Sequence, residues 1–517
     1  MAAQSQGSIM HTKFDLEGRR MTPPISRRDL LLAAAAGTLS LESLAPVMAT
    51  EPTGNHCDTD PDTSGPFLVK PYVQMGEAPR HLKEEQIAVL WHAPDRDQPW
   101  KVEFRSKEAT DWTSVESVKE TQVVVTGIPP HRVCEAILQP LPPGAIVEYR
   151  VRRGENVDFT ATTRSRAAVN QSFRCVVAGD LGTGSPQQRK VAYQIDRRQP
   201  EFMFVPGDLV YNHGRISEYR SSFYPVYSQE TASAEQGSPL MRSTILLGGR
   251  GQHDTQAALA HQPDAHAYFL YWSFPLNGPP LEPAGPHVFP LGGSASDEGA
   301  FREAAAKRFP GMANYSFDWG NSHWTVLDTW NPHIDWTAPA LRSWLREDLA
   351  RARDSTWKFV SSYMPPFSSS TAYPQGQKMR VIVDILQDAG VDIVFSGYAH
   401  SYQRTYPLRF TPDAIPAEPV RDPAQKVPGQ WRLDKQFDGH ERTRPDGILY
   451  IVSGCGGNPQ LHSPEQTNNP KTWQPFTAKY EASTHQFTEL EINDRRLTLR
   501  QISLDGEELD RISLSKP

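Results

Sequence analysis

Cysteine is scarce: the 517-residue chain has only four. Four cannot staple a chain of this size, so a disulfide scaffold is excluded. Long apolar runs are also missing. The longest, residues 30–41, falls short of the roughly 20 residues that a membrane-spanning helix needs, which excludes a multi-span membrane fold. There is no basic excess either: 53 Lys and Arg stand against 60 Asp and Glu, for a net charge of −7. That gives no general electrostatic footprint for nucleic acid. What is present is ordinary for a globular chain. Hydrophobic residues are 38%, and with 35 glycines the apolar share reaches about 45%. Proline is high at 45 residues, which favours loops and edge strands over long helices. On length alone, two to four domains of roughly 100–200 residues are expected.

The N-terminus reads as an address. Ser26-Arg27-Arg28-Asp29-Leu30-Leu31 is a twin-arginine pattern, an apolar stretch follows, and Val47-Met48-Ala49 makes a small-residue cleavage site. Residues 1–49 are therefore expected to be a twin-arginine (Tat) signal peptide, with the Tat export machinery as a partner. The mature chain is then expected in the periplasm or secreted. That signal implies export of an already folded protein, often with its metal installed. Residues 50–65 are polar and proline-rich and read as a linker.

Residues 66–166 show short β segments separated by Pro and Gly, with no helical period. Ile87 to Trp91, Val102 to Phe104, Gln122 to Thr126 and Ile146 to Val151 are examples. This predicts a fibronectin type III-like β-sandwich. His92 and His131 in it are lone histidines with no chemical signal. Cys57 and Cys134 could pair in an oxidising compartment, a question that spacing leaves open.

From Phe173 onward strand and helix alternate, which predicts a layered α/β domain over residues 171–517. Strands are expected at Phe173 to Ala178, Phe202 to Pro206, Thr244 to Leu247, Trp324 to Asp328, Lys358 to Ser362, Ile393 to Ser396 and Ile448 to Val452. Helices are expected from about Gln187 to Arg198, Pro339 to Arg353 and Lys378 to Ala389, and an antiparallel hairpin around Asn493-Asp494. Polar, glycine-flanked residues sit just after the strand ends, where α/β sheets build sites.

Gly179-Asp180 and Gly207-Asp208 each end a strand, one strand-helix-strand unit apart. Two carboxylates brought together there repel unless a cation neutralises them. Tyr211 follows Asp208 by three residues, Gly251-Gln252-His253-Asp254 ends the next strand, and Gly397-Tyr398-Ala399-His400 ends a later one. Asp180, Asp208, Tyr211 and His400 make a hard, oxygen-rich set with one imidazole. That suits a ferric ion, and Zn(II) or Mn(II) would accept the carboxylates and imidazole too. The alternative is turns whose aspartates cap helices. Gly179 to Gly184 resembles a phosphate-cradling loop but lacks the Gly-Lys-Ser/Thr ending.

The order Gly-Asp, Gly-Asp-x-x-Tyr, Gly-Gln-His-Asp, a strand-end aromatic before Pro365, and Gly-Tyr-x-His resembles that of the purple acid phosphatases, which are calcineurin-like metallophosphoesterases. The resemblance runs from Pro66 on, with Lys70-Pro71-Tyr72-Val73-Gln74, Tyr315-Ser316-Phe317-Asp318 and Gly454-Cys455-Gly456-Gly457 in matching places. It implies a β-sandwich before a catalytic domain with two metals, one of them ferric. Carried over by position, it makes Asp180, Asp208, Tyr211 and His400 the ferric ligands, with Asp208 bridging. The second-metal half departs: Gln252 stands for asparagine, and Tyr363 and Tyr398 stand for histidines. A neutral phenol is a poor ligand for a borderline divalent ion. The expectation is thus one ferric ion per chain, with the second site empty or very weak.

Gln252, Tyr363 and Tyr398 are then expected to meet a small, anionic substrate, with Arg250 and Arg404 as bidentate donors. His253, with Asp254 beside it, is the candidate acid for the leaving group, and a hydrogen-bonded structural role is the alternative. Three readings stay open: hydrolysis of phosphate esters at a remodelled iron site, a one-iron enzyme with other chemistry such as redox, or a catalytically silent relative. The segment from Arg215 to Pro310, together with Tyr373 to Gln377, is expected to carry substrate choice. Trp330, Tyr402 and Phe269-Leu270-Tyr271-Trp272 are candidates to line a pocket or to pack in the core.

Overall fold

The computed structural model describes residues 64–282, 285–330, 333–372, 376–416, 419–420 and 426–517. The twin-arginine segment, Cys57, most of the linker and residues 373–375 lie outside the described residues. Residues 69–164 form two antiparallel four-stranded sheets. One contains Glu85–Pro94 paired along its length with Ile128–Leu141, and the other contains Trp100–Ser106 paired with Ile146–Arg153. Alternation explains the packing: Val102, Phe104, Val147, Tyr149 and Val151 turn inward, with neighbours between them more exposed. Arg80 pairs with Asp318 of a later strand and Asp348 of a later helix, and Arg166, itself held by Glu85, donates to Asp318 O. His92 and His131 are buried at the same seam, against Tyr271 and Tyr224.

The later residues form a six-stranded and a seven-stranded sheet. Parallel strands Phe173–Val177, Phe202–Val205 and Ile245–Gly248 lie side by side in the first. Parallel strands Ser322–Leu327, Trp357–Ser362, Ile393–Ser396 and Leu449–Ser453 lie side by side in the second. Nearly all their side chains are buried, as near-continuous apolar runs in parallel sheets require. Helix Pro186–Arg198 starts at Ser185, whose Oγ accepts from Gln188 N and donates to Gly457 O at 2.6 Å. Helix Pro339–Arg351 supplies another covering layer.

Three expectations change in detail. The expected helix after Lys378 is a short 3₁₀ segment, Lys378–Ile382, followed by helix Val383–Asp388. The C-terminal hairpin gains a third strand: Gln486–Asn493, Arg496–Ser503 and Glu508–Ser515 form a meander on the edge of the six-stranded sheet. Tyr315–Trp319 adds an antiparallel edge to the seven-stranded sheet, where the sequence pattern gave no strand. Cys134, Cys175 and Cys455 are buried free thiols.

Candidate functional site

The parallel strands of both sheets end at one place, and the site is built there. Asp180 and Asp208 follow strands Phe173–Val177 and Phe202–Val205, whose parallel register sets them side by side, with Asp180 N donating to Gly207 O and Leu181 N to Asp208 O. The two sheets are stitched at the same point: Gly179 N donates to Ser453 O, and Tyr398 N donates to both Asp180 carboxylate oxygens at 3.2 and 3.1 Å. Asp180, Asp208 and Tyr398 all adopt left-handed backbone, with φ of 59°, 55° and 70°. Such strain persists where surrounding structure over-determines it and concentrates at functional sites.

Four side chains converge. Tyr211 Oη lies 3.0 Å from Asp208 Oδ2, 3.4 Å from Asp180 Oδ1 and 3.3 Å from His400 Nε2. His400 Nε2 is 3.5 Å from Asp180 Oδ1. Donor–donor edges of about 2.9–3.4 Å follow from metal–donor bonds of about 2.0–2.1 Å at octahedral or tetrahedral angles, and the three edges from Tyr211 Oη fall in that range. Counting only His, Cys, Asp and Glu, no metal-holding group of three or more exists among the described residues. Tyr211 Oη is the atom that meets each of the other three donors.

Acidic groups are crowded together in a buried place. Burial, with the nearby Asp208 carboxylate, pushes Asp180 up to about 7 against the bonds that it accepts. Burial and the charges of Asp208 and Asp180 push the Tyr211 phenol well above its ordinary value. Burial alone would lower His400, but its bond to Asp180 and that carboxylate's charge raise it. Its ring is oriented by Nδ1 donating to Gln460 O at 2.6 Å.

The other half of the site is filled by aromatic rings. Tyr363 Oη donates to Asp208 Oδ2 at 2.7 Å, and burial and the Asp208 charge push that phenol well above its ordinary value. Its ring seats on glycine backbone: a Cβ at Gly251 would fall 2.8 Å from Tyr363 Cε2 and 2.2 Å from Asp208 Oδ1. Tyr363 and Tyr398 rings meet at 5.6 Å, and Trp330 meets Tyr398 at 5.3 Å and Tyr363 at 6.5 Å. Rings this close touch.

His253 is half-buried at the rim. Its backbone N–H donates to Asp208 Oδ1 at 2.8 Å, its Nδ1 bonds Asn212 O at 2.8 Å, and its ring lies 4.3 Å from that of Tyr211. Gln252 is half-buried beside it. Asp254 is buried, and its Oδ2 accepts from Leu209 N and Gly251 N; burial and the Asp208 charge push it up to about 7. It thus holds the backbone of the two loops that carry Asp208 and His253.

The two arginines are not brought to the cluster as free donors. Arg250 is fully buried, paired with Asp328 Oδ2 at 2.8 Å and held between the rings of Phe269 and Phe289. Arg404 makes a two-pronged pair with Asp510 at 2.7 and 3.1 Å. Each guanidinium already has a carboxylate, and the Arg250 Nε and Nη2 groups are buried with no hydrogen-bond partner. Of the aromatic candidates, Trp330 reaches the site, whereas Tyr402 bonds Asp510 and residues 269–272 are buried in the core. His323 bridges Asp318 and Asp348 in the core. Thr183 and Ser185 hydroxyls both donate to Gly457 O, so the glycine loop is closed onto a carbonyl rather than open to a phosphate.

One contributor carried no sequence signal. His462 stacks on His400, with ring centroids 4.0 Å apart and planes 9° from parallel. It lies 62 residues downstream of His400, with no motif spacing to mark it. Burial, with the neighbouring His400 charge, pushes it down to about 3.

No family model matches the chain. Among curated proteins it is 26% identical to purple acid phosphatase 15 of Arabidopsis thaliana, over 59% of this chain and 49% of that one. It is 22% identical to purple acid phosphatase 18 of the same plant, over 62% and 64%. It is 30% identical to an acid phosphatase of Aspergillus ficuum, over 34% and 26%. The chain thus spans about half the length of the first of these relatives, or less. Among solved structures, a purple acid phosphatase from yellow lupin (Lupinus luteus) seeds superposes with a TM-score of 0.57 at 16% identity, covering 86% of this chain and 74% of that one. In sequence and fold the chain is thus similar to purple acid phosphatases.

Proposed function

We propose that this chain is an exported phosphoesterase-type hydrolase with a single iron, held by Asp180, Asp208, Tyr211 and His400. The observation that carries the reading is that Tyr211 Oη lies 3.0–3.4 Å from donor atoms of the other three, with His400 Nε2 3.5 Å from Asp180 Oδ1. Export rests on the twin-arginine sequence alone. When bound, a ferric ion supplies Lewis-acid charge where negative charge develops during displacement at phosphorus.

The protein side chains do the rest. Asp254 fixes the two loops through Leu209 N and Gly251 N. His253, with Nδ1 engaged on Asn212 O, turns its remaining ring edge toward the rim, where Nε2 can hold a proton for a leaving alkoxide. Tyr363 supplies to Asp208 the hydrogen bond that stands in for a second cation. With Arg250 and Arg404 committed to Asp328 and Asp510, little fixed positive charge is left for a highly charged anion. A phosphate ester of low charge is therefore the favoured substrate class.

A second reading has its own support. The Tyr363 hydroxyl donates to Asp208 Oδ2, the oxygen that also meets Tyr211 Oη, and this crowding of phenols where a second divalent ion would need donors favours one-iron chemistry other than hydrolysis. The test is a screen of phosphate monoesters and diesters with the iron-loaded chain and its His253→Ala variant. Hydrolysis that falls about 10²–10⁴-fold in the variant, at unchanged iron content, supports the hydrolase. No hydrolysis by an iron-loaded chain supports the second reading, and a chain that takes up no iron sinks both.

A further inference from the structure

We infer that His462 is a positioning residue for the metal centre, acting through His400; this rests on the reading of Asp180, Asp208, Tyr211 and His400 as ligands. His462 lies on the segment after strand Leu449–Ser453, which runs back across the site. That segment touches the ligand set twice. Asn458 N donates to Asp180 O at 2.9 Å. Further on, His462 and His400 bond each other in both directions: His400 N donates to His462 Nδ1 at 2.9 Å, and His462 N donates to His400 O at 2.9 Å.

Those bonds fix the His400 backbone, and the stack fixes its ring. The two imidazoles lie face to face at 4.0 Å, so the His400 ring is closed on one side. Gln460 O accepts from His400 Nδ1 at 2.6 Å and sets the tautomer, which leaves the Nε2 lone pair facing Tyr211 Oη and Asp180 Oδ1. Metal-binding histidines depend on such partners for ring orientation. Here the carbonyl alone does not define the ring plane, since a ring can tilt about a single hydrogen bond. The His462 face supplies the missing restraint. His462 is itself anchored, because Tyr480 Oη donates to its carbonyl at 2.7 Å. It meets no reacting atom, so its effect passes through the angle at which His400 presents Nε2.

The test strips the full chain of iron with a chelator and titrates ferric ion back, following bound iron and the phenolate-to-iron absorption of Tyr211. Thermal unfolding of the stripped proteins is measured alongside. Wild type is compared with His462→Ala, His462→Asn, which keeps an acceptor near Nδ1, and His462→Phe, which keeps a stacking ring. The expected result is a 10–100-fold loss of iron affinity and a displaced absorption band in His462→Ala, with each of the other two between it and wild type. If His462→Ala does not fold, His462→Asn carries the test, with weaker iron binding than wild type as the expected result. Wild-type affinity and band in whichever of the two carries the test would overturn the inference. A wild-type chain that binds no iron would overturn the functional reading beneath it, a failure recognisable before any variant is made.

Discussion

At position 363 a phenol stands where the resemblance puts an imidazole, and the exchange alters charge as well as donor type. Tyr363 brings a proton to Asp208 Oδ2 at 2.7 Å, in a place too dry for a bare carboxylate oxygen. Removing that hydroxyl in Tyr363→Phe leaves Tyr211 as the remaining phenol on that oxygen and should cost about 1–3 kcal/mol, read by denaturant unfolding of the iron-free chain. Restoring histidine at 363 and 398 and asparagine at 252 should instead raise metal occupancy from one ion to two, read by elemental analysis. No gain would argue against the register taken from Pro365, Gly397 and His400. Arg250 makes a separate case. Its pair with Asp328 is fully buried, so Arg250→Met should lose about 3–5 kcal/mol of stability by stranding a carboxylate. A raised KM with unchanged stability would place Arg250 at the substrate after all.

At the scale of elements, the strand ends were legible because parallel buried strands read as short apolar runs closed by Gly-Asp, and their chemistry follows directly. Asp180 and Asp208 stand out by that pattern, Tyr211 and His400 by their place just beyond a strand end, and the ferric role of all four comes from the resemblance. Arg250 and Arg404 look available in the sequence, but their partners Asp328 and Asp510 lie 78 and 106 residues away, and only the fold joins them. His462 was illegible for the same reason. The edge strand Tyr315–Trp319 and the extra C-terminal strand also escape a local pattern, since their pairing is decided by the neighbouring strand. The glycines after strand Leu449–Ser453 are a sharper signal than composition allowed. A Cβ at Gly454 would come 2.3 Å from Ala399 O and 2.9 Å from Asp180 Oδ2. Gly454→Ala should therefore lose about 1–3 kcal/mol through forced backbone shifts and lower iron content with it. Wild-type iron uptake by that variant would show that the loop does not set the ligands.

Over the whole molecule, the sandwich is joined to the layered domain through a buried histidine pair, and this joint carries a pH signature. His131 Nε2 meets Tyr271 Oη at 3.0 Å, and His92 packs on Tyr271 at 4.1 Å. Burial and the Arg220 charge push His131 down to about 3, against the raising effects of Pro129 O and Asp95; burial, with the charges of His131 and Arg220, holds His92 well below its ordinary value. A histidine whose folded value lies below its unfolded one of about 6.5 contributes stability that is full above pH 6.5 and is lost as pH falls toward 3. Against His131→Phe, the wild type should thus lose about 2–3 kcal/mol between pH 7 and pH 4.5. Asp180 and Asp254, pushed up to about 7, pull the other way in both proteins and cancel in the comparison. Parallel pH dependence of the two unfolding free energies would mean that His131 titrates normally. The centre itself is tested most directly by iron content and visible spectrum measured together on the purified chain. One iron per chain with a phenolate-to-iron band is expected, and it should vanish in Tyr211→Phe. Two metal ions per chain, or iron without that band, would contradict a one-iron centre held by Tyr211.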